Sequence, residues 1–216
     1  KSTLVQCTNC GLIYQNPQPS EDEINQLYPP DYELFQVEKK ENKNWLMKNV
    51  MQYGMDKRCR IVTREKSTGT LLDIGCATGK FLDAMRRNED WVVKGVELSD
   101  YAASIAREKG LAVFSGTLES VMFNDSEFDV VTLWDVLEHF PNPLKSLQEI
   151  HRIVKPNGKI VFRVPNANSY DAKLFGSYWA GFEPPRHLYI FTPDTLNCLL
   201  TKSGFEITRM SCEIGS

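Results

Sequence analysis

Five groups of side chains in this 216-residue chain have types and spacings suited to chemistry. The first is Asp73-x-Gly75-x-Ala77-x-Gly79, set between the apolar Leu71-Leu72 and Lys80-Phe81-Leu82. Glycine adopts backbone angles that a Cβ forbids and lets a ligand lie against the main chain, so a small-residue turn between strand and helix cradles nucleotide-like cofactors. The second is Glu97, which ends the run Trp91–Glu97; a carboxylate there accepts hydrogen bonds from both hydroxyls of a ribose. The third is Asp135-x-x-Glu138-His139, whose members share one face of a helical turn and include candidate bases. The fourth is Arg186-His187 in GFEPPRHLYIFT, held by Pro184 and Pro185, with Tyr170, Phe175, Tyr178, Trp179 and Phe182 as an aromatic wall. The fifth is Cys7-x-x-Cys10, two of the four ligands zinc wants.

The glycine spacing discriminates among ligands. A phosphate-binding P-loop has four residues between its glycines, then Lys and Ser or Thr; here three residues separate Gly75 from Gly79, and Phe81 follows Lys80. A dinucleotide fingerprint has glycine where this chain has Ala77 and Lys80. Asp73-x-Gly75-x-Ala77-x-Gly79 instead resembles motif I, D-x-G-x-G-x-G, of the class I S-adenosylmethionine-dependent methyltransferases, with Ala77 as the departure. GVELS around Glu97 resembles the second motif, and FDVVTLWDVLEHFPNPLKSLQEIHRIVKPNGKIVFRVPN resembles the stretch from the fourth strand through the fifth. The resemblance covers residues 69–210. It implies S-adenosylmethionine as cofactor, held by Asp73, Gly75, Ala77, Thr78, Gly79, Glu97 and Leu98. It implies an adenine contact at Thr117, Leu118 and Glu119, and a cofactor-facing strand end at Trp134 and Asp135. Asp73 would balance the ligand's ammonium group.

Methyl transfer from a sulfonium is an in-line displacement, so the protein's work is alignment, desolvation and removal of the acceptor's proton. His187 and His139 are the candidate catalytic bases, and Arg186, Tyr178 and Trp179 the candidate acceptor contacts. Asp135-x-x-Glu138-His139 also resembles the E-x-x-E-H that supports a divalent metal in ubiquinone-pathway O-methyltransferases, with the first acid shortened. The other reading is that Glu138 and His139 hold the loop by hydrogen bonds. The expected activity is methylation of a small or medium metabolite, at oxygen first. The alternative is a non-catalytic cofactor-binding or regulatory protein of the same fold.

Positioning these groups takes alternating strands and helices. Strands are predicted at Thr70–Ile74, Trp91–Glu97, Ala112–Ser115, Phe128–Trp134, Lys159–Pro165 and Phe205–Met210. Helices are predicted over Lys80–Asn88, from Ser99 to Lys109, over Pro143–Val154 and after Thr192, with a turn at Pro156-Asn157-Gly158. The pattern is α/β: a doubly wound, Rossmann-like parallel sheet with helices on both faces and a small N-terminal cap. The family sheet has strand order 3-2-1-4-5-7-6. Residues 1–66 read as a zinc-ribbon-like remnant and helical cap; residues 67–216 read as the cofactor-binding domain, with a substrate insert at about 166–191. Ser20 and Glu23 form a capping-box pattern for a short helix; Tyr28, Tyr32 and Phe35 add aromatics, and one or two helices fit 37–66. The chain opens without Met inside a cysteine motif, so the zinc half-site Cys7 and Cys10 is expected to be completed only in a longer protein. A net charge of −3 supplies no basic field for nucleic acid, and no apolar run reaches the ~20 residues that span a bilayer. Scattered cysteines outside the Cys7-x-x-Cys10 pair suit a reducing, cytoplasmic setting, with a small molecule as partner.

Overall fold

The computed structural model describes residues 3–29, 32 and 45–212. Phe35 and the part of the expected N-terminal helices before Trp45 lie outside the described residues. Contacts divide the chain into two compact units, one of Tyr28–Leu133 and Arg152–Phe162, the other of Lys1–Leu27, Trp134–His151 and Arg163–Ser216.

The first unit carries the larger sheet. Its strands are β3 (Gly69–Ile74), β4 (Trp91–Glu97), β5 (Ala112–Ser115), β6 (Phe128–Trp134) and β7 (Val154–Arg163), in the order β5-β4-β3-β6-β7. β3 pairs in parallel with β4 (Asp73 opposite Gly95) and with β6 (Asp73 opposite Thr132), and β4 pairs in parallel with β5. Counted within this sheet the order is 3-2-1-4-5, an α/β Rossmann-like arrangement with flanking helices. From Phe128 to Leu133 every residue of β6 is buried, the continuous apolar run of a strand covered on both faces. The helices are α2 (Trp45–Glu65), α3 (Lys80–Met85), α4 (Asp100–Glu108) and α5 (Leu118–Val121). Ser99 caps α4, its hydroxyl accepting from the Ala102 amide, and Ala102, Ala103 and Ala106 form the buried face. Asp129 ties three segments together. It accepts from Lys66 Nζ at 2.8 Å, Lys155 Nζ at 2.7 Å and the Thr70 amide at 2.9 Å.

The second unit holds a smaller sheet that joins the cysteine hairpin to the insert. β1 (Thr3–Gln6) pairs antiparallel with β2 (Ile13–Asn16), and β2 pairs with β8 (Tyr189–Ile190). The capping box forms as expected: Ser20 and Glu23 each accept from the other's amide at the start of α1 (Glu21–Gln26). α6 (Pro143–Ile153) lies largely in this unit. α7 (Tyr170–Phe175) is capped by Ser169, and α8 (Pro193–Lys202) opens with Thr192 at its cap and Pro193 in its first turn.

Three expectations change. The strand over Phe205–Met210 does not form: the alternation of half-buried Phe205 and Ile207 supplies propensity, but a strand needs a ladder partner and none pairs there among the described residues. Pro156-Asn157-Gly158 does not separate helix from strand but lies within β7, the end strand of this sheet among the described residues, where proline's missing N–H is tolerated. α3 stops at Met85 rather than Asn88, where the Arg86 amide closes the last turn onto Leu82 O.

Candidate active site

In the first unit the glycine turn is built from left-handed backbone. Gly75, Ala77 and Gly79 have φ of 70°, 47° and 78°. Only glycine adopts such angles without cost, so Ala77 is strained. At Gly79 a Cβ would also meet Leu111 Cδ1 at 2.4 Å, so this glycine serves packing of the turn against the helix–strand layer. Asp73 is 2% exposed and accepts from the Thr132 hydroxyl at 2.6 Å. Burial outweighs that bond and pushes its carboxyl up to about 7. Glu97, at the carboxyl end of β4, accepts from the Ala77 amide at 2.8 Å through Oε2 and from the Ser99 amide at 2.9 Å through Oε1. Its carboxyl is also raised by burial. Each carboxylate oxygen keeps further acceptor capacity after one amide bond. Thr78 is buried, and Leu98 lies between Glu97 and the capping Ser99. Thr117 precedes α5, whose Leu118 is buried and Glu119 exposed, and the Gly116 amide donates to Glu97 O at 2.9 Å.

The second unit gathers the other candidates. After Trp134, Asp135 has φ of 59°, and its carboxylate is gripped by Arg163, whose Nε lies 2.8 Å from Oδ1 and 3.0 Å from Oδ2. The short turn Leu137–His139 follows. Glu138 is 0% exposed, and neither carboxylate oxygen has a hydrogen-bond partner among the described residues. Burial first, then the charge of Asp135, pushes its carboxyl up to about 8. His139 Nδ1 donates to Arg186 O at 2.9 Å, and His187 Nδ1 donates to Gly181 O at 2.8 Å. The two rings stand edge to face with centroids 4.8 Å apart. Burial and the neighbouring His187 pull His139 down to about 4. The Leu188 amide donates to Glu138 O at 2.9 Å, stitching the two segments together. Glu183 ion-pairs with Arg186 and sets Oε2 3.4 Å from His187 Nε2.

Of the expected aromatic wall, Trp179 is buried with Ala172 and Ile190 and packs edge to face on Phe182, whereas Tyr170, Phe175 and Tyr178 are exposed. Cys7 and Cys10 sit in the connection between β1 and β2 as free thiols. They gather no third ligand: the one group of three or more metal-ligating side chains among the described residues is Glu138, His139 and His187.

Comparison with known proteins agrees with this architecture. A family model described as a methyltransferase domain matches residues 47–209, three quarters of the chain. The chain belongs to the methyltransferase domain family. A ubiquinone biosynthesis O-methyltransferase of Azoarcus sp. is 34% identical over 156 residues, 65% of this chain and 66% of that protein. One from Pseudomonas paraeruginosa is 32% identical over 151 residues, 64% of this chain and 65% of that protein. The chain thus spans just under two thirds of the length of these relatives. Among solved structures, a SAM-dependent methyltransferase of Thermotoga maritima superposes with a TM-score of 0.60 at 22% identity, covering 80% of this chain and 82% of that one. That likeness is one of fold.

The residues of this methyltransferase domain fit S-adenosylmethionine. Glu97 is buried but retains lone pairs for ribose hydroxyls, and the turn at Gly75–Gly79 presents main chain rather than side chain. Gln15 escaped the sequence reading. Its side-chain amide is 1% exposed with both polar atoms unpartnered among the described residues, and its backbone amide donates to Leu188 O, next to His187. A glutamine in a short hairpin strand carries no sequence signal of burial; only the β2–β8 pairing exposes it.

Proposed function

We propose that the chain transfers the methyl group of S-adenosylmethionine to a hydroxyl of a small or medium metabolite. The observation that carries this reading is Glu97, a buried carboxylate at the end of β4 tied by its two oxygens to the glycine turn and to the cap of α4. When bound, the cofactor supplies an activated methyl on a sulfonium, whose departure as a neutral thioether needs no acid. Glu97 accepts the ribose hydroxyls, and Asp73 sets negative charge behind the turn, opposite the ligand's ammonium. Thr117, Leu118 and Glu119 bound the adenine. His139 and His187 are the candidates to take up the acceptor's proton: each Nδ1–H is held by a carbonyl, and Glu183 Oε2, 3.4 Å from His187 Nε2, favours the protonated ring there. Burial and the neighbouring His187 pull His139 down to about 4, so at neutral pH it is uncharged. Arg186, already paired with Glu183, orients the insert, with Tyr178 offering exposed aromatic surface to the acceptor. The identity of the curated relatives as O-methyltransferases supports oxygen as the target. Zinc at Cys7 and Cys10 is proposed only for a longer chain that brings two more ligands.

The test is turnover with methyl-labelled cofactor across phenols, catechols, hydroxylated sugars and amines. Labelled ether from a hydroxylated acceptor is expected, and His139→Gln and His187→Gln should each slow turnover ~100-fold or more while leaving cofactor affinity within about twofold. Cofactor binding without any methylated product would favour the non-catalytic alternative, and product only from amines would overturn the assignment to oxygen.

A further inference from the structure

Gln15 is a buried polar side chain that the methyl-transfer chemistry leaves unused. It is 1% exposed, and neither its Nε2 nor its Oε1 has a hydrogen-bond partner among the described residues. β2 pairs Ile13 with Ile190 and Tyr14 with Tyr189, and the Gln15 amide donates to Leu188 O at 2.9 Å, so the same register sets Gln15 opposite Leu188. Alternate residues of a strand share a face, which puts Gln15 with Ile13. Ile13 packs on the apolar cluster of Ala172, Trp179 and Ile190. A side-chain amide on such a face loses its water, and without a substitute partner it is a cost to the fold. Leu188 is bonded to a second group of this kind. Its amide donates to Glu138 O at 2.9 Å, and both Glu138 carboxyl oxygens are buried and unpartnered among the described residues. Two orphaned side chains, more than a hundred positions apart in the chain, are thus tied through main-chain bonds to one residue, the one that follows His187.

We propose that Gln15 is a specificity-determining residue that binds a carboxamide or lactam group of the methyl acceptor, an assignment that rests on the methyl-transfer reading. The two unpartnered atoms select the group. Nε2 needs an acceptor and Oε1 a donor, side by side and in one plane. A carboxamide or lactam edge supplies both in a single amide–amide pair. A carboxylate or a ketone meets Nε2 and leaves Oε1 without a donor, and an ammonium does the reverse. Charge points the same way. Burial, then the charge of Asp135, pushes Glu138 up to about 8, so at pH 7 it is mainly the neutral acid and offers a donor and an acceptor of its own. Neither Gln15 nor Glu138 brings positive charge to a buried anion, so a neutral group is favoured. The apolar face that Gln15 shares suits an acceptor with a flat, mainly apolar body. The methyltransferase domain model begins at residue 47, so Gln15 lies in a part of the chain that the family pattern does not cover, where the choice of acceptor can be particular to this protein.

The experiment follows the Gln15 side-chain amide by proton–nitrogen NMR of the whole chain in the absence of cofactor. The signal is assigned by its loss in Gln15→Met, or by through-bond correlation from the backbone if that variant does not fold. Benzamide and 2-pyridone are the probes; benzoate and acetophenone, similar in size but without the paired donor and acceptor, are the controls. A saturable shift of the Gln15 signal with either probe is expected, with the controls at least tenfold weaker. No shift with either probe, or equal shifts with the controls, overturns the proposal. Gln15→Met is close in shape and should leave the Tm of the ligand-free protein unchanged or higher, because no hydrogen bond is lost. A fall of ~3 °C or more would mean that the amide is already satisfied within the protein, and overturns the proposal. The readout is binding, so a negative result leaves methyl transfer standing. A saturable shift beside a failed turnover assay would sink the methyl-transfer reading and leave the amide-binding site.

Discussion

Asp73 shows what burying a carboxyl costs this protein. Its carboxyl is pushed up to about 7 by burial, so the native state holds a proton that the unfolded chain releases near pH 4. The native state therefore binds more protons between those values, and stability falls as pH rises from about 4 to about 7. Asp73→Asn keeps an oxygen for the Thr132 hydroxyl and removes the charge. It should stabilise the ligand-free protein at pH 8 by roughly 2 kcal/mol, with the gain vanishing near pH 4, while weakening cofactor binding. Thermal melts across pH and cofactor titration measure both. Ala77 makes the opposite point. At φ of 47° its Cβ strains the turn, so Ala77→Gly should raise stability by about 0.5–1 kcal/mol, read from denaturant midpoints at unchanged slope. Asp73, Gly75 and Gly79 were legible from spacing because the backbone conformation they need is local. Glu138 and Gln15, whose buried polar atoms have no partner among the described residues, were not, because an orphaned polar atom is defined by neighbours from distant segments.

Among elements, β6 and its flanks are pinned by Asp129. Burial alone would raise this carboxyl, but Lys155, Lys66 and the Thr70 amide hold it well below the usual carboxylate range. A depressed folded pKa means its stabilisation is present above the unfolded value near 4 and is lost as pH falls below it. Asp129→Ala should cost about 2 kcal/mol at pH 7 and progressively less as pH falls from about 4 towards the depressed folded value, measured by chemical denaturation. The strands from Gly69 to Trp134, α1, α4 and α6 were readable because apolar runs, Ser99 and the Ser20–Glu23 pair are local signals, whereas the four-residue α5 was too short to carry one. The strand expected at Phe205–Met210 had the right alternation, yet no ladder pairs with it among the described residues. β8 had only two residues, too few to carry a pattern, and exists because β2 offers it a ladder at Ile13 and Tyr14.

For the molecule as a whole, membership of the methyltransferase domain family predicts which nucleotide-like ligand stabilises it. S-adenosylhomocysteine at about a hundred times its Kd should add ~2.7 kcal/mol, a rise in Tm of roughly 5–10 °C, whereas NAD should leave the Tm unchanged. Equal shifts from both would overturn the reading of the glycine spacing. No helix among the described residues is long and apolar enough to cross a membrane. Periodicity and glycine spacing along the chain were enough to read the α/β class, the strand that ends in Glu97 and the glycine turn after β3, since each depends on residues a few positions apart. Tertiary structure alone decided that the cysteine hairpin shares a sheet with the insert, that Asp135 belongs to Arg163, and that His187 stands against His139 and Glu138. Those contacts join segments about fifty residues or more than a hundred apart, or, for Asp135 and Arg163, 28 apart, and their energies come from burial and pairing that no local pattern encodes.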